Sequence, residues 1–353
     1  MKTAQEALQN LLAHATAVEE IELVPVQDAL GRVLGEDTYS LVNVPPMDNT
    51  QMDGYAVNTA DISSLGTTLC VGQRIPAGHL GQNLQAGTIA RVFTGATIPP
   101  GANAVVMQED CEALGTPDAK GLGYKVKLNT IPKVGQWIRE CGEDLKANQI
   151  ALHSGTFLRP QELGVAASAG LTHLKVKRKI KVAAFFTGDE LTLPGFPLKP
   201  GGIYNSNRDT LLACLKSLGC EPTDFGIVPD TLEATRQTLR QAAKNHDLII
   251  TSGGVSVGEE DHIKPAVHAE GRLDMWQIAI KPGKPLAFGR IFKDPHKPEL
   301  DSAENTWFMG LPGNPVSSFV TFLLFVKPFI HALQGREARC PSSYMLRADF
   351  ETP

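Results

Sequence analysis

Residues 247–258 read Asp247-Leu248-Ile249-Ile250-Thr251-Ser252-Gly253-Gly254-Val255-Ser256-Val257-Gly258. A short apolar run that breaks into a glycine-rich turn is the pattern of a strand buried on both faces. A helical pattern follows from His262 to Ala269 and stops at Gly271. The same alternation extends upstream. Ile180 to Phe186 reads as an apolar strand, Asp209 to Leu218 as a helix ended by Gly219, Thr223 to Val228 as a strand, and Leu232 to Lys244 as a helix. Downstream, Trp276 to Ile280 and Trp307 to Leu311 read as strands, and Val316 to Leu333 as the last helix. Strands alternating with helices predict a doubly wound α/β unit, a parallel sheet covered on both faces. Ligands of such sheets sit beyond the carboxyl ends of the strands.

The loops at those ends carry the chemistry. The glycines of the 253–258 turn, Gly253, Gly254 and Gly258, leave backbone N–H groups unobstructed beside a helix N-terminus, a setting suited to an oxyanion. The loop lacks the Gly-Lys-Ser/Thr ending of a P-loop. Glu259, Glu260 and Asp261 follow at once. They either favour the helix N-terminus or hold Mg²⁺ against a bound phosphate. Lys281-Pro282-Gly283-Lys284-Pro285 places two cations between two backbone-fixing prolines. Leu311-Pro312-Gly313-Asn314-Pro315-Val316-Ser317-Ser318 again joins a strand to a helix, and Thr187-Gly188-Asp189-Glu190 puts acids after the first strand.

The N-terminal half is built differently. Thr3-Ala4-Gln5-Glu6 is a capping-box pattern opening an amphipathic helix with Leu8, Leu11 and Leu12. Across residues 41–144, short β-rich runs alternate with Gly/Pro turns, which predicts a small inserted β-domain. Within it, Pro45 to Val57 and Arg139-Glu140-Cys141-Gly142-Glu143-Asp144 gather polar and special-geometry residues. Pro160 opens a further helix.

Length and composition bound the alternatives. A chain of 353 residues suggests two or three domains. The 33 glycines and 24 prolines imply many shaped loops, and a net charge of −5 argues against nucleic acid as the main partner. The six cysteines form no Cys-x-x-Cys pair, and the N-terminus lacks a signal-peptide pattern, so a reducing, cytoplasmic setting without a membrane span is expected.

Seven motifs in order carry a resemblance: Met52-Asp53-Gly54-Tyr55-Ala56-Val57, Phe93-Thr94-Gly95-Ala96, Gly142-Glu143-Asp144, Thr187-Gly188-Asp189-Glu190, residues 251–258 with Asp261, residues 281–285 and residues 311–315. Together they resemble the molybdopterin molybdenumtransferase family, which includes the gephyrin E-domain type. The resemblance implies insertion of molybdenum from molybdate into adenylylated molybdopterin with release of AMP. It also implies a requirement for Mg²⁺, a homodimer, and contact with other enzymes of molybdenum cofactor biosynthesis. Residues 175–331 would be the molybdopterin-binding domain and 41–144 the β-rich domain. Residues 1–40 with 145–174 would form the connecting, dimer-forming domain, and 332–353 the start of a C-terminal β-domain that the sequence mostly lacks. Asp53, Thr94, Arg139 and Asp144 would approach the site from the β-rich domain. Glu190, Asp230 and Asp261 would be its acids, with Glu190 and Asp261 toward the metal. Lys281 and Lys284 would meet the oxyanion beside Pro285, with Ser256 and Ser317 in anion-contacting loops. Gln277 stands where some relatives carry lysine. Two other functions fit parts of the pattern: a molybdopterin adenylyltransferase, which the long N-terminal half disfavours, and a non-catalytic gephyrin-like scaffold.

Overall fold

The computed structural model describes residues 3–254, 262–277, 285–293 and 305–338. The chain divides into two compact units, one comprising residues 1–36, 154–159 and 174–353, the other residues 37–153 and 160–173.

The first unit is built on a six-stranded sheet of β1 (Lys181–Thr187), β2 (Glu221–Val228), β3 (Leu248–Ser252), β4 (Gly271–Gln277), β5 (Pro285–Ile291) and β6 (Thr306–Leu311). Their order is β2-β1-β3-β6-β5-β4. β2, β1, β3 and β6 run parallel, whereas β5 and β4 are antiparallel. The expected parallel sheet is present in four strands, and this edge departs from it. β4 leads to β5 and β5 to β6 with no intervening helix among the described residues, so each step reverses direction.

Burial explains the composition of β1. All six residues from Val182 to Thr187 of β1 are buried. Val182, Ala184 and Phe186 face a core shared with helix α1 (Ala4–His14), α2 (Ser206–Ser217) and the helical stretch Pro315–Leu333. Ala183 and Phe185 face the opposite core, with α3 (Leu232–Ala243) and α4 (Ile263–Glu270). Period-two alternation thus feeds two cores from one strand, the reason its sequence is apolar throughout. Pro315–Leu333 spans 19 residues and is long and apolar enough to cross a membrane by composition. Here Phe322, Phe325, Val326, Phe329, Ile330 and Leu333 are buried against the sheet, which accounts for its hydropathy. The stretch comprises α5 (Pro315–Thr321), a wider π turn at Phe322–Val326, and α6 (Lys327–Leu333). At the N-terminus, Thr3 and Glu6 complete the expected capping box. Ile21–Pro25 pairs with His173–Lys177.

The second unit holds its own six-stranded sheet, in the order 104–107, 54–57, 88–92, 68–75, 125–128 and 111–114. Its strands are short and mostly antiparallel, with residues 68–75 and 88–92 paired in parallel. The inserted β-rich region expected from the sequence is present.

Candidate active site

In the α/β unit a pocket of about 100 Å³ opens beyond the carboxyl ends of β1, β3 and β6. Thr187 and Glu190 come from the end of β1, Ser252 and Gly253 from the end of β3, and Gly313 and Pro315 from the turn after β6. The remaining wall is Leu191 and residues 203–207, the last of which start α2. Three parallel strands end side by side, so their loops converge without further devices.

Side-chain bonds lock these loops together. Asn207 Nδ2 donates to Ser252 Oγ at 2.8 Å and to the Gly313 carbonyl at 2.8 Å. Ser252 Oγ donates to the Pro312 carbonyl at 3.0 Å. The two glycines after Ser252 have a packing reason as well. A Cβ on Gly253 would lie 2.4 Å from the Thr187 carbonyl oxygen, and one on Gly254 would lie 2.8 Å from Ile263 Cγ1, with φ of +102° and +64°. Only glycine combines that conformation with that approach. Gly188 has φ of +144°, and a Cβ there would lie 2.5 Å from a Glu190 carboxylate oxygen.

Of the residues singled out from the sequence, Glu190 and Gly253 line the pocket. Gly254 turns beside it. Asp230 lies half-buried in the turn between β2 and Thr231, the N-cap of α3, and is not among the pocket-lining residues. Pro285 begins β5, opposite Gln277. Ser317 is buried, and its hydroxyl and backbone N–H both donate to Asn314 Oδ1, so it completes the cap of α5. Ser256, Gly258, Asp261, Lys281 and Lys284 lie outside the described residues. Ser252 was visible only as part of the 251–258 motif, and Asn205 and Asn207 were not identified from the sequence. Their signal was the run Asn205-Ser206-Asn207 directly ahead of a helix, which reads as an ordinary cap until the loops it bridges are known.

In the second unit, Asp53, Thr94, Arg139 and Asp144 gather around one segment, residues 48–53. Asp53 Oδ1 accepts from the Thr94 N–H at 2.7 Å and from its hydroxyl at 2.9 Å. These bonds, with the Arg91 cation, hold the Asp53 carboxyl below its ordinary value, the Thr94 N–H contributing most. Thr50 exchanges backbone bonds with Gly95 and Ala96, while Asn49 and Thr50 pair with Arg139 and Ile138. Asp48 Oδ1 accepts from the Cys141 N–H at 2.7 Å. Arg139 donates to Asp144, and its Nε lies 3.7 Å from Glu143.

The described donor set bears on how a cation could be held. Among the described residues no group of three or more His, Cys, Asp or Glu side chains could hold a metal ion. Among the described residues that line the pocket, Glu190 is the one acid. One carboxylate suits Mg²⁺ held chiefly by substrate phosphate oxygens and water, and does not suit an all-protein cage.

Comparison with known proteins agrees with this architecture. Residues 2–170 match the MoeA N-terminal region (domains I and II), and residues 183–332 match a probable molybdopterin binding domain. The molybdopterin molybdenumtransferase of Haemophilus influenzae is 39% identical over 337 residues, covering 96% of this chain and 79% of that one. Gephyrin of Dictyostelium discoideum is 34% identical over 368 residues, covering 95% of this chain and 50% of that one. The crystal structure of the molybdopterin biosynthesis MoeA protein from Pyrococcus horikoshii superposes with a TM-score of 0.76 at 30% identity, covering 96% and 80% of the two chains. Fold and site thus define a protein that couples a MoeA-type N-terminal region to a molybdopterin-binding α/β unit. The chain belongs to the molybdopterin molybdenumtransferase family.

Proposed function

We propose that this chain is an enzyme that inserts molybdenum from molybdate into adenylylated molybdopterin, forming molybdenum cofactor and releasing AMP. The observation that carries the reading is the pocket at the strand ends of the α/β unit, which lies in the segment matched by a molybdopterin binding domain. Its chemistry suits an anionic, partly aromatic substrate. Ser206 and Asn207, in the first turn of α2, line it where the helix dipole favours negative charge. Leu191 and Ile203 offer apolar surface beside them.

The protein's main task is then to hold two anions together. Ser252, Asn207 and the 253–254 turn fix the pocket wall, and Lys281 and Lys284 are proposed to attract molybdate to its rim. Asp53, Thr94, Arg139 and Asp144 are proposed to complete the site from the β-rich unit, supplied by the second chain of a homodimer. Residues 1–40 with 145–174 are proposed to form the dimer contact. Glu190 with Asp261 would hold Mg²⁺, which offsets charge on the pyrophosphate during cleavage. A cytoplasmic location and contact with other cofactor-biosynthesis enzymes complete the reading.

The test is AMP release by purified protein given adenylylated molybdopterin, with and without molybdate. Molybdate-dependent release is expected. ATP consumption yielding adenylylated molybdopterin would identify an adenylyltransferase instead. No turnover with intact substrate binding would favour a scaffold.

A further inference from the structure

In the β-rich unit, Arg91 sits where the segment carrying Asp53 meets the segment carrying Thr94. It stands opposite Tyr55 in the antiparallel pairing of residues 54–57 with 88–92, and Phe93 and Thr94 follow closely in the chain. Its Nη1 donates to the Gly54 carbonyl at 3.2 Å and its Nη2 to Gln108 Oε1 at 2.6 Å. The Gln108 backbone N–H donates in turn to the Asp53 carbonyl at 3.0 Å. The carbonyls of Asp53 and Gly54 are therefore tied to one connected pair, Arg91 and Gln108. The guanidinium also lies over two rings, with its Cζ 5.1 Å from the centroid of Tyr55 and 4.8 Å from that of Phe93. One side chain thus grips the chain just after Asp53 and just before Thr94.

Every partner in that set is neutral, so the clamp leaves the Arg91 charge uncancelled. Asp53 uses Oδ1 for both Thr94 donors, and its Oδ2 takes no hydrogen bond from the described residues. Several charged groups lie on the elements packed about this segment. Arg91 and Arg74 stand on neighbouring strands, and Glu109 and Asp110 lie in the turn after residues 104–107. Asp48 precedes the pairing of Asn49 with Arg139, which carries Glu143 and Asp144 beside it. Thr94 lowers the Asp53 carboxyl most, and of these charged groups it is Arg91 that adds to the lowering.

We propose that Arg91 is a positioning residue: it fastens the Asp53–Gly54 peptide to the Phe93–Thr94 segment, so that Asp53 presents its open oxygen, Oδ2, in one fixed orientation. This rests on the reading that Asp53 serves molybdenum transfer, and it adds the residue through which Asp53 is held. In this role Arg91 acts through Asp53 and not on the substrate. Its loss therefore lowers kcat and leaves KM for adenylylated molybdopterin near wild type.

The experiment compares wild type with Arg91→Met, Arg91→Lys, Gln108→Ala and Arg74→Met. Methionine keeps an unbranched apolar stem without charge or N–H donors. Lysine restores the charge without the forked donors. Gln108→Ala removes the acceptor of Arg91 Nη2 and keeps the backbone N–H that meets Asp53. Arg74 is the control, since its Cζ also lies 4.8 Å from the Phe93 centroid but among the described residues it makes no bond to Asp53 or Gly54. The Asp53 titration is followed by carbon NMR of full-length protein labelled at aspartate carboxyl carbons, with Asp53→Asn assigning the signal. AMP release is measured against pH and adenylylated molybdopterin, with thermal unfolding in parallel.

Arg91→Met should raise the Asp53 midpoint and move the acid limb of kcat to higher pH. It should lower kcat about tenfold at neutral pH, with KM within about twofold. Arg91→Lys should return the midpoint toward wild type and recover part of kcat. Gln108→Ala should lower kcat less than Arg91→Met, and Arg74→Met should leave midpoint and kcat near wild type. An unmoved Asp53 midpoint in folded Arg91→Met would overturn the inference, as would an equal shift in Arg74→Met. Where Arg91→Met fails to fold, wild-type kcat in both Arg91→Lys and Gln108→Ala would overturn it. Midpoints that shift as stated, in a protein whose wild type releases no AMP, would leave the clamp standing and remove the molybdenum-transfer reading.

Discussion

The two units handle polar side chains in opposite ways. In the β-rich unit the residues singled out from the sequence satisfy one another: Asp53 accepts from both donors of Thr94, and Arg139 donates to Asp144. In the α/β unit the pocket leaves Asn205 Nδ2 and Thr187 Oγ1 without partners. A self-satisfied cluster is rigid before any ligand arrives and presents charge of fixed sign. Unpartnered buried groups cost stability in the folded chain. The contrast separates polar groups paired within the chain from polar groups left unpaired in a pocket wall.

Four substitutions test that contrast, in decreasing order of expected effect. Glu190→Gln removes the carboxylate of the pocket while keeping its shape. AMP release should fall about a hundredfold at fixed Mg²⁺, the scale of losing a charge that offsets phosphate, with unfolding unchanged. A Mg²⁺ titration of activity checks this, and unaltered metal dependence would remove Glu190 from the cation site. Asn207→Ala breaks the two bonds that tie the β3 and β6 loops and should destabilise the chain by about 2 kcal/mol, measured by urea unfolding. Thr187→Val should do the reverse, stabilising the ligand-free protein by about 1 kcal/mol because a buried hydroxyl without a partner is gone. A destabilised valine variant would show that the hydroxyl is satisfied in the free protein, and the contrast between the units would fail.

Thr94→Val is expected to have the smallest effect, about 0.5 kcal/mol of destabilisation at neutral pH, since Asp53 is accessible to solvent. Its sign with pH is defined. The Asp53 carboxyl is lowered in the folded chain, so its contribution is present above the unfolded value of about 3.9 and lost as pH falls through the folded value. Removing the Thr94 hydroxyl raises the folded value toward the unfolded one. The gap between wild type and Thr94→Val should therefore narrow below about pH 4. Urea titrations at pH 7 and pH 3 measure it, and a gap that widens in acid would contradict the assignment.

The sequence made the α/β unit legible because β1 and β3 bury both faces, which leaves continuous apolar runs. β5 was missed. Leu286-Ala287-Phe288-Gly289-Arg290-Ile291 interleaves a glycine and an arginine with its apolar residues, which breaks the continuous apolar run that marks β1 and β3. The pairing of Ile21–Pro25 with His173–Lys177 was missed for another reason, since nothing local marks a partner so distant in the chain. At the site, Glu190 and Gly253 were visible as strand-end residues. The bridge from Asn207 to Ser252 and Gly313 was not, because it joins three segments whose proximity is a product of sheet order. Ser317 shows the converse: a serine in a suggestive loop turned inward to finish a helix cap.

The first and the last of the described helices share one core. Ala7, Leu8 and Leu11 of α1 pack in the same cluster as Phe325, Phe329 and Leu333, and the Val18 N–H donates to the Leu333 carbonyl at 2.9 Å. Protein synthesis proceeds from one end, so α1 leaves the ribosome with its apolar face uncovered and keeps it so while some three hundred further residues are made. The β-rich unit, whose main segment is continuous from residue 37 to 153, meets most of its partners long before that. A nascent chain halted before α6 therefore carries a folded insert on an unfinished scaffold, with a sticky N-terminal helix. That window is where a holdase or a ribosome-bound chaperone has something to grip.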